Sequence, residues 1–314
     1  MMTKKLFSRV QITTNSRLHF GFLNINSREN YSFGGMGLSI DKYPTITTIS
    51  KAREFKSNLS KALNKKIEGF IKCNKVNKNI EIKCVESPPS HIGLGSGTQL
   101  ILSLEEALIK FYRLNQTKTS IFNRTYRSGV GYNSYRYGGF IVDSPKKNLS
   151  TNEAIFKYKF PKDWKIILLF DNKIRGTHGD KENKFFLDDS KSSLRKKLSD
   201  LTLNEIIPSV IYKDFDIFAK SLTQFQKINS SFYTSIQKSS YLSKHIGGII
   251  KRVSSTFNVA VGQSSWGPTS YMFTNSRNDL KEIISILDKE ISMYNNLSYD
   301  IVSAKNNSRK LSFS

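Results

Sequence analysis

Ser90-His91-Ile92-Gly93-Leu94-Gly95-Ser96-Gly97-Thr98-Gln99 is a glycine-rich loop that runs directly into an amphipathic segment. Leu100, Ile101, Leu104, Ala107, Leu108 and Phe111 recur at helical spacing, with Ser103, Glu105, Glu106 and Lys110 between them. A helix with one buried face is therefore expected to follow the loop. Glycines at alternate positions let the backbone approach a ligand closely and leave its N–H groups free, and the helix behind presents the positive end of its dipole. The stretch reads as a cradle for phosphate. It is not a P-loop, since no Gly-Lys-Ser/Thr follows, and it lacks the Gly-x-Gly-x-x-Gly spacing of dinucleotide sites. Gly95-Ser96-Gly97 is also one residue short on each side of a hydrolase nucleophile elbow.

Upstream of the loop, Val10 to Thr14, Arg17 to Leu23, Thr45 to Lys51 and Asn79 to Val85 carry strand signals, Gly34 to Asp41 reads as a flexible turn before another strand, and a polar-faced helix is expected between Ser57 and Lys75. Downstream, Arg127-Ser128-Gly129-Val130-Gly131 reads as a polar stretch and Gly138 to Asp143 as a strand entered through a glycine pair. The polar loop from Ser144 to Asn152 suggests a domain boundary near residue 155, dividing the chain into 1–155 and 156–314. The second part opens with a strand from Trp164 to Asp171, continues through helical patterns over 201–211 and 214–229, and closes with a strand at Val259 to Val261 and a helix over 280–293. Residues 303–314 are polar and expected to fray. Both halves have an α+β pattern without repeats.

With 314 residues and 38% hydrophobic side chains, the chain has material for substantial cores. A net charge of +24 favours anionic partners, but the lysines are scattered among asparagines, as in Lys72 to Asn79. No recognition helix or aromatic RNA-binding signature accompanies them, so a solvated basic surface is expected and not a nucleic-acid groove. Cys73 and Cys84 form no Cys-x-x-Cys pattern and no apolar leader opens the chain, which suits reduced thiols in a cytoplasmic protein. The longest apolar runs, such as Ile166 to Phe170, are too short to span a bilayer.

Candidate chemistry lies in glycine-punctuated loops. His19, His91 and His178 each occur in such a setting and are candidates for proton handling or phosphate contacts. Arg17, Arg127 and Arg175 precede or open similar loops, where a guanidinium fork can grip phosphate or carboxylate oxygens. Asp143 and Glu182 could hold magnesium through water or cap the next element. Trp266 suits stacking on a planar ligand or packing in a rigid turn. No Cys/His cluster has the spacing of zinc ligands, so no tightly held transition metal is expected.

Together, Arg17-Leu18-His19-Phe20-Gly21, the loop from His91 to Gln99, Arg127 to Gly131 with Gly138 to Asp143, Gly176-Thr177-His178-Gly179, and Gly262-Gln263-Ser264-Ser265-Trp266-Gly267-Pro268-Thr269 resemble the beta-ribofuranosylaminobenzene 5'-phosphate synthases of the GHMP kinase superfamily. The resemblance implies an α+β, GHMP-kinase-like two-domain fold, with a ribosomal protein S5 domain 2-like N-terminal domain, a ferredoxin-like C-terminal domain and a site between them. It also marks a departure. Mevalonate-type kinases carry a Ser-Gly-Val-Asp run whose aspartate activates the acceptor hydroxyl, whereas this chain has Ser128-Gly129-Val130-Gly131. The kinase loop Gly-Leu-Gly-Ser-Ser is here Gly93-Leu94-Gly95-Ser96-Gly97.

The activity implied is a decarboxylating phosphoribosyl transfer from phosphoribosyl pyrophosphate to 4-aminobenzoate or 4-hydroxybenzoate, on the way to tetrahydromethanopterin, with Mg2+ accompanying the pyrophosphate. Gly93, Gly95, Ser96, Gly97 and Thr98 would hold pyrophosphate, and Arg17, Arg127 or Arg175 the 5'-phosphate or the carboxylate. Phe20 or Trp266, with Gln263, Ser264 and Ser265 beside them, would position the ring. Expected partners are these small molecules and, at most, a second copy of the chain in a homodimer. An ATP-dependent small-molecule kinase is the alternative, and a non-catalytic nucleotide- or RNA-binding protein, suggested by charge alone, is the third reading.

Overall fold

A computed structural model of the chain describes residues 7–24, 31–115, 129–146, 153–176, 192–237, 239–265 and 267–314. Two long strands, β1 (Arg9–Asn24) and β2 (Ser32–Lys51), pair antiparallel and organise the first sheet. A single straight register would send all even-numbered β1 side chains to one layer, because strand side chains alternate with period two. Instead the pairing jumps, with Thr14 opposite Thr45 but Ser16 opposite Ile40. Val10 and Ile12 consequently enter one core cluster, while Leu18, Phe20 and Phe22 enter another. The irregularity lets one strand supply two hydrophobic layers.

The rest of this sheet is β3 (Lys56–Ser57), β4 (Ile80–Glu86), β5 (Phe140–Lys146), β6 (Ala154–Tyr158) and the final strand, Lys310–Phe313. β2 is long enough to pair with β5 through its first half and with β4 through its second. α1 (Lys61–Asn74), α2 (Ser96–Tyr112) and α3 (Gly129–Tyr137) join the sheet through the cluster of Val10, Ile12, Ile67, Phe70, Leu104, Phe111 and Tyr135. The segment read as a polar stretch thus begins α3 at Gly129, and the flexible turn expected at Gly34 lies instead within β2, paired on both sides. The boundary expected near residue 155 falls inside β6, which stays on the first sheet.

The second sheet contains β7 (Lys165–Asp171), β8 (Ala260–Gln263), β9 (Ser270–Thr274) and β10 (Leu297–Val302), in the order β10-β7-β9-β8. Its two faces can be read from β7, where Ile166 and Leu168 join the cluster shared with the first sheet and Ile167 and Leu169 join the cluster on the opposite side. The opposite cluster is covered by α7 (Lys244–Thr256) and α8 (Arg277–Ile291), capped by Ser243 and Ser276. Between the sheets lie α4 (Ser192–Asp200), a π-helical turn (Leu201–Ile206), α5 (Ile207–Tyr212) and α6 (Phe215–Gln237). Leu198, Leu201, Ile206, Val210, Phe218, Leu222 and Phe225 carry this layer into the shared core.

The chain end corrects the expectation of fraying. The final strand, β11 (Lys310–Phe313), pairs with β1 over Val10 to Thr13, and Arg309 grips Glu106 of α2 through two hydrogen bonds of 2.7 and 2.8 Å. Polar side chains that look unpartnered in sequence find their partners on distant strands and helices. Among the described residues no helix is long and apolar enough to cross a membrane.

Candidate active site

The glycine loop closes onto the start of α2. Gly95 stands at the N-cap with φ +81° and has no side chain to cap the helix, and the first turn carries no acidic residue. The Thr98 N–H turns back onto the Gly95 carbonyl at 3.2 Å, so the Ser96 and Gly97 N–H groups are the ones at the open end of the helix, where an anion would meet them. A Cβ on Gly97 would meet no atom within 4 Å, so the open side of the cradle lies there. Gly93 has the opposite setting: with φ +95°, its added Cβ would stand 2.5 Å from the Ser264 carbonyl.

Two further segments hold this loop. The Gly93 carbonyl accepts from Arg17 Nη1 at 2.7 Å and from Ser264 Oγ at 2.7 Å. Ser264 Oγ in turn accepts the His19 N–H at 3.0 Å, while the Ser265 N–H donates to the His19 carbonyl at 3.1 Å. The Thr269 N–H reaches the Ile92 carbonyl, and the Gly176 N–H reaches that of His91. The loop after β8, strand β1 and the glycine loop are therefore one hydrogen-bonded junction between the two sheets.

Arg17 lies beside Gly95, whose added Cβ would be 3.0 Å from the guanidinium carbon. Burial lowers its pKa to about 10, which leaves it cationic at neutral pH, and its Nε is buried without a hydrogen-bond partner among the described residues. A buried cation with a spare donor beside a helix N-terminus suits an anion. His19 is different. Burial, reinforced by the Arg17 charge, pushes its pKa down to about 3, and Nδ1 accepts the Gly21 N–H at 3.2 Å. The acceptor role of Nδ1 assigns the proton to Nε2, and the ring is neutral at physiological pH. It is placed to donate or pack; proton exchange near neutrality does not suit it.

The remaining predicted residues separate into groups. Ser96 is buried at the first position of α2, and Thr98 lies against Gly131, where an added Cβ would be 3.1 Å from Thr98 Cγ2. Gln99 Nε2 donates to the Gly131 carbonyl at 2.9 Å. The place of the kinase aspartate is thus a tight crossing of α2 and α3. His91 is exposed with φ +63°, and Arg175 is exposed with Nη1 turned onto the carbonyls of Asn172 and Ile174. Asp143 is buried on β5 opposite Gly35.

Two expectations are corrected. Phe20 cannot hold a ligand ring: it is fully buried, packed against Phe140, Tyr271 and Phe273. Gln263 is a strut, accepting from the Leu242 N–H at 2.7 Å and donating to the Ser265 carbonyl at 3.3 Å. Arg127, His178, Glu182 and Trp266 lie outside the described residues. Among the described residues no three His, Cys, Asp or Glu side chains converge as a metal site.

Two contributors are missed by motif reasoning. Asn229 Oδ1 accepts the Phe22 N–H at 2.8 Å, and Gln226 donates to the Phe20 carbonyl while accepting the Gln263 N–H. Both belong to α6 and pin the irregular stretch of β1 around Gly21. Gln226 and Asn229 continue the helical spacing of the buried Phe218, Leu222 and Phe225 onto the same face, and that placement is the signal the sequence offers.

No family model matches the chain. Curated relatives do. It is 28% identical over 290 residues to a beta-ribofuranosylphenol 5'-phosphate synthase of Archaeoglobus fulgidus, covering 85% of this chain and 88% of the relative. The enzyme of the same name from Methanocaldococcus jannaschii is 27% identical, over 88% of this chain and 93% of that one. Among solved structures, mevalonate diphosphate decarboxylase of Enterococcus faecalis superposes with a TM-score of 0.70 at 13% identity, covering 98% of this chain and 100% of that one. Mevalonate-3-kinase of Thermoplasma acidophilum gives 0.66 at 11% identity, covering 98% of each chain. The chain therefore has the fold of the GHMP kinases.

Proposed function

We propose that the chain is a decarboxylating phosphoribosyltransferase, joining phosphoribosyl pyrophosphate to a 4-substituted benzoate in a route such as tetrahydromethanopterin synthesis. The observation that carries this reading is Gly131, closed over by Thr98 and Gln99 in a fold whose kinases need an aspartate there. Similarity to ribofuranosylphenol 5'-phosphate synthases over most of the chain supports it. A ribofuranosylphenol is what remains when 4-hydroxybenzoate exchanges its carboxylate for a ribosyl carbon, which favours the hydroxybenzoate over the aminobenzoate.

The chemistry suits the residues present. The bond between the anomeric carbon and pyrophosphate breaks with its electron pair on the leaving oxygen, and a ring π pair forms the new carbon–carbon bond. The ring–carboxylate bond then breaks, its electrons restore aromaticity, and carbon dioxide departs. No acceptor hydroxyl has to lose a proton. What is required is stabilisation of the departing anion, which the first turn of α2 and Arg17 are placed to provide. Magnesium would accompany the pyrophosphate substrate as its counterion, and neutral His19 serves as an uncharged wall or donor.

The test is incubation with phosphoribosyl pyrophosphate and carboxyl-labelled 4-hydroxybenzoate. Release of labelled carbon dioxide with one equivalent of pyrophosphate is expected. No release from either benzoate, together with ATP consumption in the presence of a small alcohol, would overturn the reading in favour of a kinase.

A further inference from the structure

The helix-facing side of the first sheet changes character where the pairing of β1 and β2 jumps. Before the jump, Val10 and Ile12 on β1 and Ile49 on β2 are apolar and pack under α1, α2 and α3. Continuing on that side, Thr14 and Thr45 stand opposite one another, and beyond the jump Arg17 and Ser39 form the next such pair. Two helices close over this stretch. Gln99, in the first turn of α2, donates to the Gly131 carbonyl of α3, and Val130 lies over β2, its Cγ1 2.6 Å from a Cβ added to Gly37. Asn133, fully buried, follows Val130 at i+3 and so faces the sheet with it.

Each of these six polar side chains carries a buried atom with no hydrogen-bond partner among the described residues. They are the hydroxyls of Thr14, Ser39 and Thr45, Arg17 Nε, Gln99 Oε1, and both the oxygen and the nitrogen of the Asn133 amide. None of them bonds to another. So many groups left unpaired would cancel the free energy that keeps a domain folded, because each has given up its hydrogen bond to solvent. The set is neutral apart from Arg17 and mixes donors with acceptors, which suits water and not an ion. A buried water makes about three hydrogen bonds, so these atoms match about two or three water molecules.

We infer that a cluster of ordered water molecules is built in between the first sheet and α2 and α3, behind the cradle, and that through it Ser39 positions the guanidinium of Arg17. The Gly93 carbonyl fixes one end of that guanidinium through Nη1. A water shared by Nε and Ser39 Oγ fixes the other, so the plane of the fork is set from inside the sheet, and its charge and Nη2 are left to an anion at the first turn of α2. A hydrated bed also keeps the cation solvated where an apolar layer would disfavour its charge. The positioning role rests on the reading of the cradle as a pyrophosphate site; the water cluster itself does not.

The experiment compares the parent chain with Ser39→Ala and with Thr45→Val, which swaps a hydroxyl for a methyl group of the same shape at the end of the cluster away from Arg17. Oxygen-17 relaxation dispersion reads long-lived internal waters, urea unfolding reads stability, and calorimetric titration with inorganic pyrophosphate reads the cradle. The parent should show long-lived waters, at least one of which is lost in Ser39→Ala. Both variants should unfold at a lower urea midpoint, because a buried water loses a partner. Ser39→Ala should weaken pyrophosphate binding about fivefold, the worth of one hydrogen bond, while Thr45→Val binds it as the parent does. Water dispersion unchanged in both variants, with urea midpoints that rise, would mean dry unpaired hydroxyls and overturn the cluster. Lost waters with pyrophosphate affinity unchanged in Ser39→Ala, or lowered equally in both variants, overturn the positioning of Arg17. Pyrophosphate binding by the parent without carbon dioxide release from either benzoate keeps this inference and overturns the transferase reading. A parent that does not bind pyrophosphate overturns the positioning role together with the cradle.

Discussion

His19 and Arg17, two residues apart on β1, show how burial sorts adjacent cationic side chains into different tasks. A guanidinium stays charged when burial lowers its pKa to about 10, whereas an imidazole brought to about 3 does not. Unfolded His19 binds a proton near pH 6.5 and the folded residue does not, so stability is lost as pH falls from 6.5 toward 3. Between pH 7 and pH 5 the loss from this group is roughly 2 kcal/mol, from about 1.4 kcal/mol per pH unit. His19→Asn retains an acceptor for the Gly21 N–H but cannot titrate. Its urea unfolding free energy should therefore fall less than that of the parent over this interval, and an equal fall would contradict the assignment. Arg17→Lys keeps the charge and loses the fork, and the KM for phosphoribosyl pyrophosphate should rise about tenfold, equivalent to about 1.4 kcal/mol. A lower melting temperature with unchanged KM would instead make Arg17 a prop for Gly93 alone.

At the level of elements, the loop after β8 supports the cradle and need not touch the substrate to matter. Ser264 joins three backbone segments through one hydroxyl that accepts from His19 and donates to Gly93. Ser264→Ala strands the buried His19 N–H, which costs about 1–3 kcal/mol. The expected signature is a lower urea midpoint with a raised KM for phosphoribosyl pyrophosphate and an unchanged KM for the aromatic acid. If both KM values rise together, Ser264 belongs to a common binding surface. α2 also departs from its simplest pattern. Periodicity assigned Ser103 to the polar face, yet it is fully buried together with Gln99, because α3 packs along that side. A helix covered on two sides buries more than one stripe, and a hydrophobic period cannot reveal the second neighbour when it is polar.

Across the whole molecule, the C-terminal segment is a strap on the first sheet, although it follows the last strand of the second in sequence. Burial alone would raise the Glu106 carboxyl, but hydrogen bonds from Arg309 and Tyr135 outweigh it and hold the group below its ordinary pKa. The pair is partly exposed, so Arg309→Ala should cost about 2 kcal/mol, less than a fully buried pair. This corresponds to a melting temperature lower by roughly 3 °C, from about 2.1 cal/mol/K of unfolding entropy per residue. Calorimetry would check it, and an unchanged transition would show that β11 pairing alone holds the end in place.

Local sequence determined the elements whose signals are local: the alternation that opens β1, the β-branched run of β2, the apolar run of β7, the helical period of α2, and the glycine loop that must end at an uncapped helix. The absent aspartate at Gly131 was legible for the same reason, since a missing functional group is a property of one position. Tertiary structure alone decided what depends on partners far apart in the chain. It made residues 310–313 a strand because β1 offers a free edge, and turned Phe20 and Gln263 into core and strut because α6 and β9 close over them. It also gathered the buried polar atoms of Ser39, Gln99 and Asn133 behind the cradle, which no stretch of sequence brings together. Propensity and periodicity are carried by neighbouring residues, whereas burial, charge state and cavity shape arise only when distant elements pack and exclude water.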